Sequence, residues 1–124
     1  MIHLYCMKNL CPDIFRQRLV IEGKYGAELS ESKIKTFLVA LSRELKMKII
    51  YGPVIKDIAG SVNPKHSGFE CILIWAESGA SLYVWDKFKF FTLDIYTCKK
   101  FSAKKAVSFA KQFFSAKEIT HKSV

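Results

Sequence analysis

Two segments of the chain repeat apolar residues at the spacing of an α-helix. The first follows Ser30, whose hydroxyl can cap a helix, and Glu31 places a negative charge in the first turn, where it is favourable. The second follows Ser102, which is equally suited to capping. Each segment therefore predicts an amphipathic helix with one buried side. The apolar positions are Ile34, Phe37, Leu38, Leu41 and Leu45 in the first, and Ala103, Ala106, Val107, Ala110, Phe113 and Phe114 in the second.

Three β-type runs follow one another closely in the second half of the chain. They cover residues 69–76, 80–85 and 90–97, with short turns at Ser78-Gly79 and Asp86-Lys87. Turns this short join antiparallel neighbours, so the runs predict a meander. Alternation in the first run predicts a strand that faces helices on one side only. The alternating sets are Cys71, Leu73 and Trp75 against Glu70, Ile72 and Ile74.

Shorter segments complete the predicted secondary structure. Residues 18–24 favour a first strand, and residues 48–51 favour a second strand that stops at Gly52-Pro53. Residues 55–68 are rich in glycine, serine, asparagine and proline, which favours a loop. Residues 1–15 form an arm without a clear pattern, and residues 117–124 either add an edge strand or fray.

The order of these elements predicts an α+β fold, a two-layer sandwich in which two helices cover one face of a largely antiparallel sheet. A length of 124 residues suits a single domain over residues 1–124. The sheet carries more aromatic side chains than two helices can readily cover. We therefore expect its other face to pair with a second copy in a two-fold homodimer. These aromatic residues are Trp85, Phe88, Phe90, Phe91 and Tyr96.

Composition narrows the class of protein. Half of the residues are hydrophobic and 25% are charged, which is typical of a globular chain. No apolar run approaches the ~20 residues of a membrane span, and the N-terminus lacks the pattern of a signal peptide. We therefore expect a cytoplasmic protein without a membrane partner. The net charge of +9 is spread along the predicted helices, and no groove-reading motif accompanies it, which argues against a nucleic-acid partner.

The four cysteines are expected to be reduced thiols in such a compartment. Cys6 and Cys11 have C-x4-C spacing near His3, but a second close pair is missing, so no metal site is predicted. Cys71 lies in an apolar run and fits a buried core position. Cys98 lies at the end of a strand, where a thiol can reach solvent.

The turn that contains Glu77, Ser78 and Gly79 is the strongest candidate for chemistry. A serine hydroxyl in a tight turn can attack the carbonyl of the preceding residue and convert the amide to an ester. Removal of the serine α-proton, elimination and hydrolysis would then leave a pyruvoyl group, whose carbonyl accepts electrons during decarboxylation. Taken alone, a Glu-Ser-Gly turn between strands is usually only a turn.

The chain resembles the prokaryotic S-adenosylmethionine decarboxylases from residue 18 to about residue 119. Residues 18–22 resemble the first strand of that family, with Glu22 at its buried glutamate, and residues 67–76 resemble the lead-in to its cleavage serine. Residues 91–98 resemble the strand that ends in its catalytic acid. The resemblance implies self-cleavage between Glu77 and Ser78, a pyruvoyl cofactor derived from Ser78, and a proton-donating role for Cys98.

Three positions depart from the family pattern. Tyr83 replaces a processing histidine, and tyrosine, with an ordinary pKa of ~10 against ~6.5, donates hydrogen bonds rather than acting as a base. Glu70 replaces a serine and either supplies the missing base or simply faces solvent. Trp85, Asp86 and Lys87 stand at a Trp-Pro-Glu motif whose glutamate holds the ribose of the substrate. Lys87 would repel a sulfonium substrate.

Three functions therefore stay open. The first is a pyruvoyl-dependent decarboxylase that acts on S-adenosylmethionine in spermidine synthesis, or on a basic amino acid such as arginine or ornithine. The second is an unprocessed, non-catalytic paralogue that acts as a binding or regulatory subunit. The third is a basic nucleic-acid-binding module, which the scattered charge supports least.

Overall fold

The computed structural model describes residues 7–59 and 63–124. Residues 7–15 form neither helix nor strand, as expected for the arm, and residues 1–6 lie outside the described part. Six strands and two helices follow. In chain order they are β1 (Gln17–Lys24), α1 (Glu31–Glu44), β2 (Ile49–Asp57), β3 (Gly68–Trp75), β4 (Ser78–Trp85), β5 (Phe90–Thr97), α2 (Ala103–Phe114) and β6 (Glu118–Ser123).

The strands form one antiparallel sheet in the order β2-β3-β4-β5-β1-β6. The meander β3-β4-β5 lies at its centre, and β1 pairs beside β5 although the two are distant in sequence. The tail forms the edge strand β6 against β1. Two helices therefore accompany an antiparallel sheet, as the α+β prediction stated.

Both helices pack on the same face of the sheet. Along β3 the side chains alternate as predicted, with Cys71, Leu73 and Trp75 buried and the residues between them exposed. Phe37 of α1 packs against Phe113 of α2 with ring centroids 4.7 Å apart, which joins the helices above the sheet. The opposite sheet face is here called the open face, because neither α1 nor α2 covers it and residues 7–59 and 63–124 contain no other α-helix.

The predicted caps begin both helices. The Ser30 hydroxyl accepts a hydrogen bond from the Lys33 amide at 3.1 Å, and the Ser102 hydroxyl accepts one from the Lys105 amide at the same distance. Helix α2 ends at Ser115, whose φ of 48° is left-handed. The two serine caps satisfy backbone N–H groups that the first turn of a helix leaves unpaired.

The prediction for β2 and the following loop was wrong in extent. Strand β2 continues through Gly52-Pro53 to Asp57, and its pairing with β3 shifts register on either side of Tyr51. A proline that cannot donate is tolerated here because β2 is an edge strand. The loop is correspondingly shorter than predicted. Pro64–His66 within it forms a 3-10 turn, and residues 60–62 do not belong to the described residues.

The aromatic side chains expected on the uncovered face divide between the two faces. Phe91 lies in the core, where its ring stacks on Phe114 at 4.0 Å between centroids. Phe91 therefore does not belong to the predicted dimer surface, because the alternation of side chains along β5 turns it toward the helices. Tyr96 and Phe88 are exposed.

Replacing Ser42 with alanine is expected to destabilise the fold by about 1–3 kcal/mol. The Ser42 hydroxyl accepts the indole N–H of the fully buried Trp75 at 2.7 Å and donates to the Leu38 carbonyl, so its loss leaves a buried donor unpaired. Denaturant unfolding measures the change. The matched control is Thr36→Ala, because the exposed Thr36 hydroxyl makes a similar bond to Ser32 and serves no second partner. Equal effects of the two substitutions would contradict the role assigned to the Trp75–Ser42 bond.

Candidate active site

The β3–β4 turn lies two residues earlier than the sequence indicated. Trp75 pairs directly with Ser78, so Ala76 and Glu77 form the turn and Ser78 is the first residue of β4. Gly79, expected in the turn, lies within the strand, where a Cβ atom would approach the Leu73 carbonyl oxygen to 3.0 Å. Glu77 takes a φ of 62°, a left-handed conformation that costs a residue other than glycine roughly 1–2 kcal/mol.

Ser78 and Cys98 lie next to each other. The Cys98 amide donates a hydrogen bond to the Ser78 hydroxyl oxygen at 3.2 Å, across 20 residues of sequence. Cys98 directly follows β5, and both residues are half-buried. The antiparallel pairing of β4 with β5 thus brings the two residues of the predicted chemistry together at one end of the sheet.

Tyr96 and Arg18 adjoin this pair, although the sequence analysis assigned neither of them a chemical role. The Tyr96 hydroxyl lies 3.5 Å from the Cys98 sulfur. The Arg18 guanidinium carbon lies 4.9 Å from the centroid of the Tyr96 ring. The hydrogen bond with Cys98 is the main reason that the pKa of Tyr96 is raised, and the charges of Arg18 and Arg16 oppose it. The spacing of Tyr96 and Cys98 by two residues was the available sequence signal, since such residues share a strand face.

An open cavity of about 610 Å³ lies on the open face beside Ser78. Its volume is in the range of small-molecule sites. Apolar side chains of β3 form one wall, while β1, β4 and β5 contribute both apolar residues and the polar and charged groups. The lining includes Ile72, Ile74, Ser78, Arg18, Asp94 and Tyr96.

Tyr83 and Glu70 lie at the other end of the meander. They are direct cross-strand partners on the open face, and five residues of β4 separate Tyr83 from Ser78. At about 3.4 Å per residue the separation is about 17 Å. A single chain therefore does not bring either side chain to Ser78.

His66 joins Tyr83 and Glu70 around a second, smaller cavity of about 200 Å³. The Trp85 indole N–H donates a hydrogen bond to His66 Nδ1 at 3.1 Å. In this arrangement Nδ1 is the acceptor, and the imidazole hydrogen lies on Nε2. In the sequence, His66 lies in the predicted loop of residues 55–68 and carries no signal of its own. Its place beside Tyr83 depends on loop geometry, which no periodicity reveals.

Asp86 and Lys87 belong to the β4–β5 turn rather than to a strand. The Asp86 amide donates to the Ser67 carbonyl at 3.1 Å, and the Ser67 hydroxyl lies 3.4 Å from an Asp86 carboxylate oxygen. The Lys87 amine lies 5.8 Å from the centre of the Phe88 ring. Strand β4 ends at Trp85, so strand alternation does not fix the direction of the Asp86 side chain.

Glu22 is exposed in this chain, whereas the resemblance implied a buried glutamate. It lies on the open face between the buried residues Ile21 and Gly23, and it accepts a hydrogen bond from the Thr92 hydroxyl at 3.2 Å. The cause is the alternation of β1, which points Glu22 away from the helices. Glu22 lines cavities next to β6 and is absent from the lining of the cavity beside Ser78.

The remaining cysteines differ from Cys98. Cys71 is buried in the core, and burial is the main reason that its pKa is raised to about 12. Cys11 is exposed, while Cys6 and His3 lie outside the described residues. Within residues 7–59 and 63–124, no three side chains of the metal-binding types histidine, cysteine, aspartate and glutamate cluster as a metal site would require.

The described part of the chain contains no helix of the length and apolar character needed to cross a membrane.

Comparison with known proteins gives one structural match and one family match, and no match among curated proteins. A crystal structure of the adenosylmethionine decarboxylase from Aquifex aeolicus VF5 is similar with a TM-score of 0.72 and 16% identity, over 90% of this chain and 89% of that chain.

The family model for S-adenosylmethionine decarboxylase matches residues 25–124. The match begins after β1, so it includes the turn at Ser78 and the strand before Cys98 but leaves out Glu22. It covers most of the chain, and the structural similarity supports the same fold. This chain belongs to the S-adenosylmethionine decarboxylase family.

Proposed function

We propose that the protein is a pyruvoyl-dependent decarboxylase that forms its own cofactor by cleavage between Glu77 and Ser78. The contact between the Ser78 hydroxyl and the Cys98 amide carries this proposal, because it joins the candidate precursor to the candidate acid. Family membership supports a decarboxylase, and the cavity beside Ser78 offers room for a small substrate.

The turn favours the first step of cleavage. The Ser78 hydroxyl would attack the Glu77 carbonyl carbon, and the peptide bond would become an ester. Left-handed strain at Glu77 raises the energy of the uncleaved turn and is released when the chain separates. A base then removes the Ser78 α-proton and the Glu77 carboxylate leaves. One water is consumed and one ammonia is released in forming the pyruvoyl group.

The residues around Ser78 fit such a group. The Cys98 amide already donates a hydrogen bond at this position and can hold an oxygen of the product in the same way. When formed, the pyruvoyl group supplies the carbonyl that accepts electrons as carbon dioxide leaves. Cys98 would provide the proton that replaces the lost carboxylate.

A second copy of the chain would complete the site. The open face exposes Ile72, Ile74 and Tyr96 by 44%, 41% and 37%, which favours coverage by another surface. Suppose that a two-fold axis lies between two open faces and runs perpendicular to the strands. The two copies of β4 would then stack antiparallel, so that opposite ends of β4 meet. Each Ser78 would then meet the Glu70–Tyr83 end of the other copy, where Glu70 or His66 can act as the base.

The charge of the cavity bears on the substrate. Asp94 and Arg18 both line it, so Asp94 would attract a positively charged group and Arg18 a carboxylate, while Lys87 lies in the β4–β5 turn and is absent from its lining. We propose S-adenosylmethionine or a basic amino acid such as arginine as the substrate, and polyamine synthesis in the cytoplasm as the setting.

A non-catalytic role is the second candidate. It is favoured by Tyr83, which is a poor base, and by the distance of about 17 Å between Tyr83 and Ser78 within one chain. In this case the protein would stay uncleaved and act by binding, for example as the regulatory subunit of an active relative.

Purified protein is expected to consist of fragments of 77 and 47 residues, since cleavage after Glu77 divides the 124 residues in this way (124 − 77 = 47). Intact-mass spectrometry would find the second fragment lighter by the loss of ammonia. Ser78→Ala is expected to abolish cleavage because no hydroxyl remains. Ser81→Ala is the matched control, since Ser81 lines the same cavity three residues along β4 and should leave cleavage intact.

Tyr83→His is expected to speed cleavage, because an imidazole near its ordinary pKa transfers protons at neutral pH more readily than a phenol. The rate of appearance of the 47-residue fragment measures this. A wild-type chain that stays whole after long incubation, with Tyr83→His equally whole, would favour the non-catalytic candidate.

Sedimentation at micromolar concentration is expected to show a dimer that Ile74→Lys disrupts, because the substitution places a charge on the open face. The control is Leu10→Lys, which changes a hydrophobic residue that is 82% exposed and lies in the arm before β1, outside the sheet. A monomeric wild-type protein, or equal disruption by both substitutions, would count against dimerisation through the open face.

A further inference from the structure

Tyr96 is positioned to control the thiol of Cys98. We propose that the Tyr96 hydroxyl donates a hydrogen bond to the Cys98 sulfur, orients the thiol beside Ser78 and stabilises the thiolate that remains after Cys98 gives up its proton. The part about proton donation rests on the proposed decarboxylase function. The hydrogen bond itself does not, and it can be tested without turnover.

The backbone places the two side chains together. Tyr96 belongs to β5 and Cys98 lies two residues further on, so both extend from the same side of the chain. The hydroxyl oxygen and the sulfur are 3.5 Å apart, within hydrogen-bond range for sulfur. From the other side, the Cys98 amide is held by the Ser78 hydroxyl at 3.2 Å. The cysteine is therefore anchored through its backbone to β4 and through its sulfur to Tyr96.

Arg18 fixes the tyrosine ring in turn. Arg18 and Tyr96 are direct partners in the pairing of β1 with β5, and the guanidinium carbon lies 4.9 Å from the ring centroid. A cation over an aromatic face at this distance is attractive. The stack restrains the ring of a side chain that would otherwise be free to move on the open face.

The direction of the hydrogen bond follows from the chemistry of the two groups. A thiolate has no proton to donate, so after proton transfer only Tyr96 can be the donor. The pKa of Tyr96 is raised above its ordinary value, chiefly by the bond with Cys98, so the phenol keeps its proton. A donor aimed at a charged sulfur is stronger than one aimed at a neutral sulfur, which favours the state after transfer.

Other charged groups lie around the pair. Arg16 and Arg18 lower the pKa of Tyr96 without overcoming the effect of Cys98. Asp94 lines the same cavity as Tyr96. The Lys99 amine, although adjacent in sequence, donates to the Lys46 carbonyl in the connection between α1 and β2. Among the described residues, Tyr96 is the side chain that lies within hydrogen-bond distance of the Cys98 sulfur.

Alkylation of the unmodified chain by iodoacetamide across a range of pH tests the contact. Peptide-resolved mass spectrometry reports each cysteine separately. Tyr96→Phe keeps the ring and removes the donor, so the Cys98 alkylation curve is expected to move to higher pH, with a rate at pH 7 lower by about three- to tenfold. Tyr51→Phe is the matched control, since Tyr51 is an exposed tyrosine on edge strand β2.

Two cysteines serve as internal references. Cys11 is exposed, and its curve should be the same in all variants, while Cys71 should react only after unfolding because it is buried. Thermal melting confirms that Tyr96→Phe is folded. An unchanged Cys98 curve in folded Tyr96→Phe, or an equal change in Tyr51→Phe, would overturn the proposal.

Turnover separates this inference from the proposed function. If the wild-type chain is cleaved and active, Tyr96→Phe is expected to lower kcat, with KM and the extent of cleavage nearly unchanged, and Tyr51→Phe to alter none of them. An active Tyr96→Phe with wild-type kcat would overturn the catalytic part. A wild-type chain that is never cleaved defeats the decarboxylase proposal, while the alkylation curves still decide the contact between Tyr96 and Cys98.

Discussion

The burial of Trp75 at the end of β3 determines where the candidate site can form. The indole is fully buried beneath α1, and its N–H is bound to Ser42 at 2.7 Å. Because Trp75 must face the helices, the strand keeps its register up to this residue, and Ser78 is its partner across the hairpin. Only two residues remain for the turn, and the second, Glu77, takes a left-handed conformation. A packing constraint in the core thereby strains the peptide that precedes Ser78.

The sheet also explains why the candidate chemistry is divided. One face is satisfied by two helices, so polar and reactive side chains collect on the open face. The meander places Cys98 and Tyr96 at one end of that face, with Ser78 beside Cys98 at the edge of the cavity, and Glu70 with Tyr83 at the other end. Strands are stiff and the separation of about 17 Å is fixed by their rise. Rearrangement of one chain cannot join the two ends, whereas an antiparallel encounter of two copies can.

Periodicity in the sequence was enough to predict both helices, the meander and the faces of β3. The prediction from periodicity failed where the role of a residue depends on its position in the assembled sheet. Gly52-Pro53 looked like the end of a strand, but β2 is at an edge where a missing donor is harmless. Gly79 looked like a turn residue, but it allows close approach to Leu73. The contact between Ser78 and Cys98 requires the β4–β5 register, and that register follows from burial across several strands.

The parts of the candidate site would contribute differently to the proposed self-cleavage. Strain at Glu77 and the hydrogen bond that orients Ser78 act within one chain and are set by the core. In the proposed mechanism the base that removes the α-proton would come from the Glu70–Tyr83 end, where this sequence departs from the pattern that its family resemblance implies. The departure would therefore leave the proposed ester formation at the turn unaffected and would act on the later elimination. A change of base would alter the rate of that proposed second step, whereas the fold, which sets the geometry of the turn, is shared with the Aquifex structure at only 16% identity.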